Sequence, residues 1–341
     1  MRPWLKVILV IVIVLIALVG VAAVKVLGLR AFLGPRTRQL TAQTFAATPA
    51  RLERGKYLAS SIGCLYCHSP HDWTKADDPI LPGMEGAGQQ LPYSDLPGRI
   101  VAPNLTPDKE TGAGNWTDDM LARSIREGIG HDGRALFSIM PYAHYRNMPD
   151  EDLASVIVYL RSLPAVKNPL PKTEMIFPVK YIIRNAPQPV TSPVPTPDLS
   201  TPVKRGEFLV NLIGCEDCHT PVDSHHQPIP GMEFSGGQII GAAGTKAASS
   251  NITPDPSSGI SYYGQATFIQ AMRTGSVGTR QLSKMMPWPV FRNLSDEDLA
   301  GIFAYLKTLK PVVHHVSNAE PPTLCPLDNT MHGAGNENVK R

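Results

Sequence analysis

The sequence has few cysteines and little net charge, and both features exclude broad classes of protein. Five of its 341 residues are cysteine, an odd number that is too small for a disulfide-based scaffold of this size. Lysine and arginine total 32 and aspartate and glutamate 29, and this near balance excludes a strongly basic nucleic-acid-binding protein. Charged residues make up only 18% of the chain and hydrophobic residues 43%, so the chain can bury a core and is not globally disordered.

Acidic residues are missing from the first 38 positions, and residues 7–24 carry no charge at all. An 18-residue helix spans about 27 Å, close to the ~30 Å hydrocarbon core of a bilayer. Trp4 lies where an interfacial aromatic residue belongs. We therefore predict a membrane anchor over residues 1–30. The alternative is a signal peptide cleaved near Ala23, but the apolar run exceeds the usual 7–15 residues of a signal core, which favours a retained anchor.

The remaining chain contains two copies of one unit. Five short motifs recur in the same order, with an offset that drifts only from 151 to 146 residues. In the first copy they are RG at 54–55, CLYCH at 64–68, NLTPD at 104–108, MPY at 140–142 and DEDLA at 150–154; in the second they begin at 205, 215, 251, 286 and 296. A proline-rich segment at 187–202 separates the copies and indicates a semi-rigid linker.

Each copy is predicted to be mainly helical. One helix leads into the CxxCH motif, and a short helix is expected near 118–127, with a counterpart near 265–274. The last helix has the clearest pattern, because Leu153, Val156, Ile157 and Leu160 follow an i, i+3, i+4, i+7 spacing that the second copy repeats from Leu299. The predicted units are therefore residues 48–186 and 203–316, followed by a polar tail at 317–341.

Each copy contains one Cys-x-x-Cys-His motif, the signature of covalent c-type haem attachment. Residues i, i+3 and i+4 share a helix face, so two thiols can form thioethers to one porphyrin while the adjacent imidazole reaches its iron. A redox dithiol or a zinc site is the weaker interpretation, because the motif occurs twice at the same point of a complete repeat. We predict two haem c groups, bound by Cys64, Cys67, Cys215 and Cys218, with His68 and His219 as axial iron ligands.

The sixth iron ligand must come from elsewhere in each copy. Met140 and Met286 occupy matched positions before a proline, and a thioether is a soft ligand that favours ferrous iron. The alternative role for either methionine is core packing. Met84 and Met232 also match each other, but they lie too close to the histidines for a chain that must wrap around the porphyrin edge. We therefore predict Met140 and Met286 as the distal ligands.

Residues without a match in the other copy are less informative. Eight histidines outside the CxxCH motifs lack a matched partner, so bis-histidine ligation is disfavoured and these residues are expected at the surface or in loops. Cys325 is the fifth cysteine and belongs to no haem motif. A buried or free thiol and a link to a partner chain are both compatible with it.

Together these motifs resemble class I cytochrome c domains, and in particular the cytochrome c subunits of bacterial membrane-bound dehydrogenases such as alcohol and gluconate dehydrogenases. The resemblance covers roughly residues 48–312. It implies a single-pass protein of the cytoplasmic membrane with its haem domains on the periplasmic or outer face. It also implies that the Pro103 carbonyl accepts a hydrogen bond from His68, with Ser250 at the matching point of the second copy. Matched Arg126 and Arg273 are candidates to pair with haem propionates, or else are solvated.

The expected function is electron transfer rather than catalysis of bond chemistry. With both axial positions filled by protein, haem iron has no open site for a substrate. The expected partners are a membrane-bound dehydrogenase or respiratory complex as donor, and a soluble cytochrome or terminal oxidase as acceptor, with no nucleic acid involved. The alternative is a dihaem enzyme, such as a cytochrome c peroxidase or a thiosulfate-oxidising cytochrome, which would need one haem with an open or labile axial position.

Overall fold

The structure is a computed structural model that describes residues 2–241, 246–278, 280–318 and 321–333. It is mainly helical, as the sequence predicts. The helices of the N-terminal half are α1 (Pro3–Leu27), α2 (Arg30–Leu33), α3 (Pro49–Ser61), α4 (Cys64–Cys67), α5 (Asp118–Glu127), α6 (Tyr142–Tyr145), α7 (Asp150–Ser162) and α8 (Val179–Ile182), with a 3-10 turn at Ile183–Asn185. Those of the C-terminal half are α9 (Pro202–Ile213), α10 (Cys215–His219), α11 (Gln265–Thr274), α12 (Trp288–Phe291) and α13 (Asp296–Leu306).

The strands that the structure describes are two residues long and form separate antiparallel pairs, so they fasten loops and build no larger sheet. The pairs are β1 (Gln89–Gln90) with β3 (Val101–Ala102), β2 (Gly98–Arg99) with β4 (Glu174–Met175), β5 (Ile239–Ile240) with β6 (Ala247–Ala248), β7 (Ser276–Val277) with β8 (Arg280–Gln281), and β9 (Thr323–Leu324) with β10 (Met331–His332).

The helices that periodicity predicted are present. The expected helices near 118–127 and 265–274 are α5 and α11, and the two last helices are α7 and α13. Ser295 caps α13, because its side chain accepts a hydrogen bond from the Asp298 backbone N–H at 3.1 Å.

Each copy is built on a close crossing of its first and last long helices. Helix α3 crosses α7 where a Cβ on Gly55 would lie 1.9 Å from the Ser155 carbonyl oxygen. Helix α9 crosses α13 in the same way, with Gly206 against the Gly301 carbonyl oxygen, also at 1.9 Å. The repeated RG motif therefore has a packing reason, since only glycine lets the two backbones approach so closely.

The repeated NLTPD motif holds the chain that leaves the last helix of each copy. The Asn104 side chain donates to the Val166 carbonyl at 2.8 Å and accepts from the Thr106 backbone N–H at 2.9 Å. Asn251 repeats the first of these bonds with the Val312 carbonyl at 2.8 Å. The motif fixes the loop that follows each CxxCH motif against the body of its own copy.

The two copies pack against each other through matched elements. A Cβ on Gly214 would lie 2.8 Å from the His144 ring, and a Cβ on Gly63 would lie 4.0 Å from Val290. These are the same contact in both directions, because Gly63 corresponds to Gly214 and His144 to Val290 in the repeat. The Tyr57 hydroxyl also donates to the Asp298 carboxylate across this interface. Matched segments of the two copies therefore face each other across this interface.

Among the described residues, helix α1 is long and apolar enough to cross a membrane. Its most apolar 18-residue window has a mean hydropathy of 3.5, and none of that window is buried. A signal sequence has the same properties. The end of α1 is fastened to the folded part of the chain, since the Asn185 side chain donates to the Leu27 carbonyl at 2.8 Å and Arg184 donates to the Ala31 carbonyl at 2.9 Å.

Candidate haem-binding sites

A large cavity of about 460 Å³ opens beside the first CxxCH motif. This volume falls within the range of small-molecule and cofactor pockets. The four predicted site residues of the first copy all line it: Cys64, Cys67, His68 and Met140. Most of the remaining wall is apolar, with Leu91, Ile100, Leu121, Ile125 and Phe137 among the lining residues. The structure therefore brings the predicted residues of this copy together at one place.

The cysteines and histidine of each motif lie on a single helical turn. In the first copy, the Cys67 N–H donates to the Gly63 carbonyl at 3.0 Å and the His68 N–H to the Cys64 carbonyl at 2.9 Å. Gly63 has a positive φ of 103°, which starts the turn sharply after α3. Gly214 does the same before α10, with a φ of 76°. One turn places the two thiols and the imidazole on one face, as covalent haem attachment requires.

Both motif histidines make the hydrogen bond that the resemblance implied. His68 Nδ1 lies 2.8 Å from the Pro103 carbonyl oxygen, and His219 Nδ1 lies 2.7 Å from the Ser250 carbonyl oxygen. A carbonyl only accepts, so Nδ1 carries the proton and Nε2 is left as a metal ligand. Burial lowers the pKa of both histidines, although the carbonyl opposes this, and the neutral ring is the form that binds iron.

The two predicted distal methionines occupy the same local turn. The Met140 N–H donates to the Phe137 carbonyl at 3.1 Å, and the Tyr142 N–H donates back to the Met140 carbonyl at 2.8 Å. Met286 has equivalent bonds with Ser283 at 3.0 Å and Trp288 at 2.7 Å. Met140 lies on the wall of the first cavity. The matched turn gives Met286 the same backbone setting in the second copy.

Sequence reasoning missed part of the cavity wall. Met175, on β4, lines it although no motif contains this residue. The second copy contributes further lining residues: Ile213, Ile240, Lys284, Met285, Pro287, Val290 and Phe291. The first cavity is therefore completed by the copy next to it. No signal within a single repeat could have shown this, because the wall depends on how the two copies pack.

Several matched or unmatched residues make contacts that add to or differ from the sequence expectations. Arg126 donates to Asp150 at 2.6 Å, and Arg273 to Asp296 at 2.6 Å, so each arginine pairs with a carboxylate at the start of its copy's last helix. The indole of Trp116 lines the cavity and stacks on His131 at 4.2 Å. Three of the eight unmatched histidines are buried instead of lying at the surface: His71, His314 and His332.

The motif cysteines do not have the properties of a redox dithiol. Burial raises the pKa of Cys64 to about 12 and that of Cys67 to about 11. Burial also raises the pKa of Cys215 to about 12. Reactive cysteines have lowered pKa values in electropositive surroundings. The thiols, the imidazole with a free Nε2, the thioether and the apolar cavity instead fit a covalently attached haem.

Comparison with known proteins leads to the same class. No family model matches the chain. The chain is 30% identical over 288 residues to the fructose dehydrogenase cytochrome subunit of Gluconobacter japonicus, covering 79% of this chain and 55% of that protein. It is 28% identical to the gluconate 2-dehydrogenase cytochrome c subunit of Pantoea cypripedii, covering 77% of this chain and 60% of that one.

A further relative, a dihaem c-type cytochrome of Cereibacter sphaeroides, is 28% identical over 305 residues, which is 86% of this chain and 97% of the relative. The chain is a homologue of c-type cytochromes. It spans a little over half of the length of the dehydrogenase subunits that it matches, but nearly all of the length of the dihaem relative. These three relatives are named as cytochrome subunits of dehydrogenases and as a dihaem cytochrome.

Proposed function

We propose that this chain is a membrane-anchored dihaem cytochrome c that relays electrons from a membrane-bound dehydrogenase or respiratory complex to a soluble cytochrome or terminal oxidase. The observation that carries this proposal is the cavity where Cys64, Cys67, His68 and Met140 meet. The second copy repeats the attachment turn, the histidine hydrogen bond and the methionine turn.

Complete axial coordination makes the protein a carrier and not an enzyme. Haem iron held by histidine and methionine cycles between its ferric and ferrous states. In the first copy His68 and Met140 would fill both axial positions, and in the second copy His219 and Met286 would do so. Neither iron would then offer a position to a substrate.

The packing of the copies supports a relay inside the chain. The second copy supplies Pro287, Val290 and Phe291 to the wall of the first haem cavity. In the opposite direction, His144 of the first copy contacts Gly214 and Asp217 at the second attachment motif. Each attachment motif therefore lies against the segment that follows the distal methionine of the other copy. Two haems bound at these motifs would then lie on either side of one interface, which supports electron transfer between them.

The surface near the end of α1 supports a retained anchor. Phe32, Leu33 and Phe177 are strongly exposed, at 54%, 66% and 70%. They belong to α2 and to the segment before α8, which are held to the end of α1 by the Asn185 and Arg184 hydrogen bonds. Lys180 follows closely on α8. Apolar side chains with a basic residue beside the end of a membrane helix suit the membrane interface.

Carbon monoxide binding tests the carrier function. The full-length protein, purified with its haems in detergent and reduced, should show no change in its Soret spectrum under carbon monoxide. Binding of carbon monoxide at one haem would reveal an open axial position. That result would favour the dihaem-enzyme alternative over the relay.

A further inference from the structure

Four side chains that can bind a metal ion meet beside the loop of residues 235–238, which packs against the CxxCH motif of the second copy. His314, Cys325, Asp328 and His332 are all buried, and one ligand atom from each lies within 4.8 Å of all the others. His314 follows the last helix of the second copy, while the other three residues come from the segment around β9 and β10. None of them belongs to either CxxCH motif.

The distances within this cluster approach those of a tetrahedral metal centre. Zinc binds nitrogen at about 2.0–2.1 Å, carboxylate oxygen at about 2.0–2.2 Å and sulfur at about 2.3 Å, so its ligand atoms lie roughly 3.3–3.7 Å apart. His314 Nε2 lies 3.2 Å from Cys325 Sγ and 3.6 Å from Asp328 Oδ2. His332 Nε2 lies 2.8 Å from the same carboxylate oxygen.

Backbone groups around the cluster hydrogen-bond to its side chains and fix their orientation. His314 Nδ1 lies 3.1 Å from the Ser235 carbonyl oxygen, to which only a protonated Nδ1 can donate, and Nε2 is left free as a ligand. The Thr330 backbone N–H donates to Asp328 at 3.0 Å, and the Leu327 backbone N–H donates to Cys325 Sγ at 3.4 Å. His332 Nδ1 is buried without a hydrogen-bond partner among the described residues.

The neighbouring backbone leaves no room for a larger residue. Gly237 has a φ of +100°, and a Cβ there would lie 2.2 Å from His332 Cε1 and 2.7 Å from His314 Cε1. The imidazoles of His314 and His332 therefore pack tightly against the loop of residues 235–238. Their side-chain conformational entropy is lost on folding, before any metal ion binds. Such pre-organisation favours a metal ion, which needs its ligands held in place.

The first copy gives an internal comparison. There Asn168 stands where the second copy has His314, and its side chain donates to the Ala87 and Gly88 carbonyls at 2.9 and 3.2 Å. Gln89 stands where the second copy has Gly237. Plain amide hydrogen bonds thus fasten this loop in the first copy. The second copy has exchanged them for a histidine, a glycine and a cluster of three further ligands.

We propose that His314, Cys325, Asp328 and His332 bind one zinc ion that fastens the segment of residues 321–333 to the second copy. Four protein ligands and burial of all four side chains describe a closed structural site, without a position for a substrate. A carboxylate as fourth ligand suits zinc better than cuprous ion, which prefers sulfur donors. The set also lacks the weak axial methionine of a blue-copper centre.

The zinc would support the second haem site through a short path. His314 bonds to Ser235, and the next residue, Gly236, donates its N–H to the His219 carbonyl at 2.7 Å. The ion would therefore stiffen the loop that packs against the predicted proximal histidine. Its function here is positional, because none of its ligands belongs to the predicted haem ligand set.

Metal analysis and X-ray absorption at the zinc edge test this proposal on the full-length, haem-loaded protein. Metal analysis should give one zinc per chain, in addition to the iron of the haems. X-ray absorption should show one sulfur ligand at about 2.3 Å and nitrogen or oxygen ligands at about 2.0–2.2 Å from the zinc. Cys325→Ser and His332→Ala should each lower the zinc content at least fivefold. His315→Ala, at an exposed neighbouring position, should retain it.

A chelator experiment on the unmutated protein tests the same proposal if the variants fail to fold. Removal of zinc should make the Cys325 thiol reactive to a maleimide. It should also increase cleavage by an added protease between residues 317 and 333, while the amount of covalently bound haem per chain stays unchanged. Zinc below one-tenth per chain would overturn the proposal, as would equal zinc in Cys325→Ser, His332→Ala and His315→Ala. Stoichiometric copper in place of zinc would also overturn it.

Discussion

The imidazole of His144 lies 2.7 Å from the Asp217 carboxylate, and this contact joins the methionine segment of the first copy to the attachment motif of the second. The matching position in the second copy is Val290, an apolar residue that lies beside Gly63. The two matched positions thus differ, since the first is ionisable and the second is apolar. Charged groups also meet near Val290, where Arg292 of the second copy lies 3.2 Å from Asp77 of the first.

The first prediction concerns the pH dependence of this interface. The hydrogen bond to Asp217 raises the pKa of His144 above its usual value, against the opposing effect of burial. Because the pKa of His144 is higher in the folded than in the unfolded protein, the pair stabilises the folded state fully below the unfolded pKa of about 6.5. This contribution to the free energy of unfolding is lost as the pH rises through the folded pKa. Because Asp217 is largely exposed, we expect about 0.5–1 kcal/mol.

Thermal unfolding at pH 5.5 and pH 8.5 measures this effect. His144→Gln should lower the melting temperature more at pH 5.5 than at pH 8.5. Asp217→Asn should act in the same direction and should add little pH dependence to the His144→Gln variant, since both remove one pair. An equal loss at both pH values would show that the pair contributes no charge interaction.

The second prediction concerns the helix crossings. Gly55→Ala places a methyl group 1.9 Å from a backbone oxygen that belongs to another helix, and Gly206→Ala does the same in the second copy. Overpacking costs about 1–3 kcal/mol and occasionally more, and rigid backbone atoms on both sides favour the upper end. Denaturant unfolding should show a loss of about 3 kcal/mol for each variant. Gly264→Ala, which meets no atom within 4 Å, should cost much less.

The sequence predicted regular features well and relationships between the copies poorly. Helices α5, α7, α11 and α13 were predictable because their apolar spacing and matched copies are local properties. The role of Gly55 was not, because it depends on a carbonyl about one hundred residues away. The contribution of Met285 to the first cavity depends on docking of the copies, which no periodicity records.

The cluster around Cys325 shows a second limit of sequence reasoning. Three of its four ligands stand in the segment predicted as a polar tail, and the spacings of all four match none of the short metal-binding motifs. The neighbouring exposed His315 and the fully buried His314 cannot be told apart by composition. Only the fold of the second copy, which brings Gly237 under both imidazoles, distinguishes them.

The third prediction is haem stoichiometry. Each CxxCH motif should attach one haem, so a pyridine haemochrome assay on the full-length protein should give two per chain. Cys215→Ala combined with Cys218→Ala should leave one, held in the cavity beside Cys64. A value of one or three in the unmutated protein would contradict the proposed dihaem cytochrome.

The fourth prediction is that α1 is retained in the mature protein. Its 25 residues are long enough to cross a bilayer with some tilt, and its end is fastened to the folded part through Asn185. Membranes washed with high salt and alkaline carbonate should keep the protein, and N-terminal sequencing should begin at or near Met1. A soluble product that begins near Val24 would instead establish a cleaved signal peptide.

The last prediction identifies the distal ligand of the first haem. Among the described residues, three methionines line its cavity: Met140, Met175 and Met285. Only Met140 has a matched counterpart on an equivalent backbone turn. Met140→Ala should therefore open one haem to carbon monoxide and lower its reduction potential, because a ferrous-favouring thioether is lost. Met286→Ala should do the same at the other haem.

Matched controls come from the same cavity wall. Met175→Ala and Met285→Ala remove a similar volume from the lining, so they test whether any loss of packing opens the haem. We expect both to stay closed to carbon monoxide and to keep the charge-transfer band of a methionine–ferric bond, which Met140→Ala should weaken. If Met285→Ala opens the first haem and Met140→Ala does not, the distal ligand comes from the second copy. The iron of the first haem would then be fully coordinated only when the two copies are packed together.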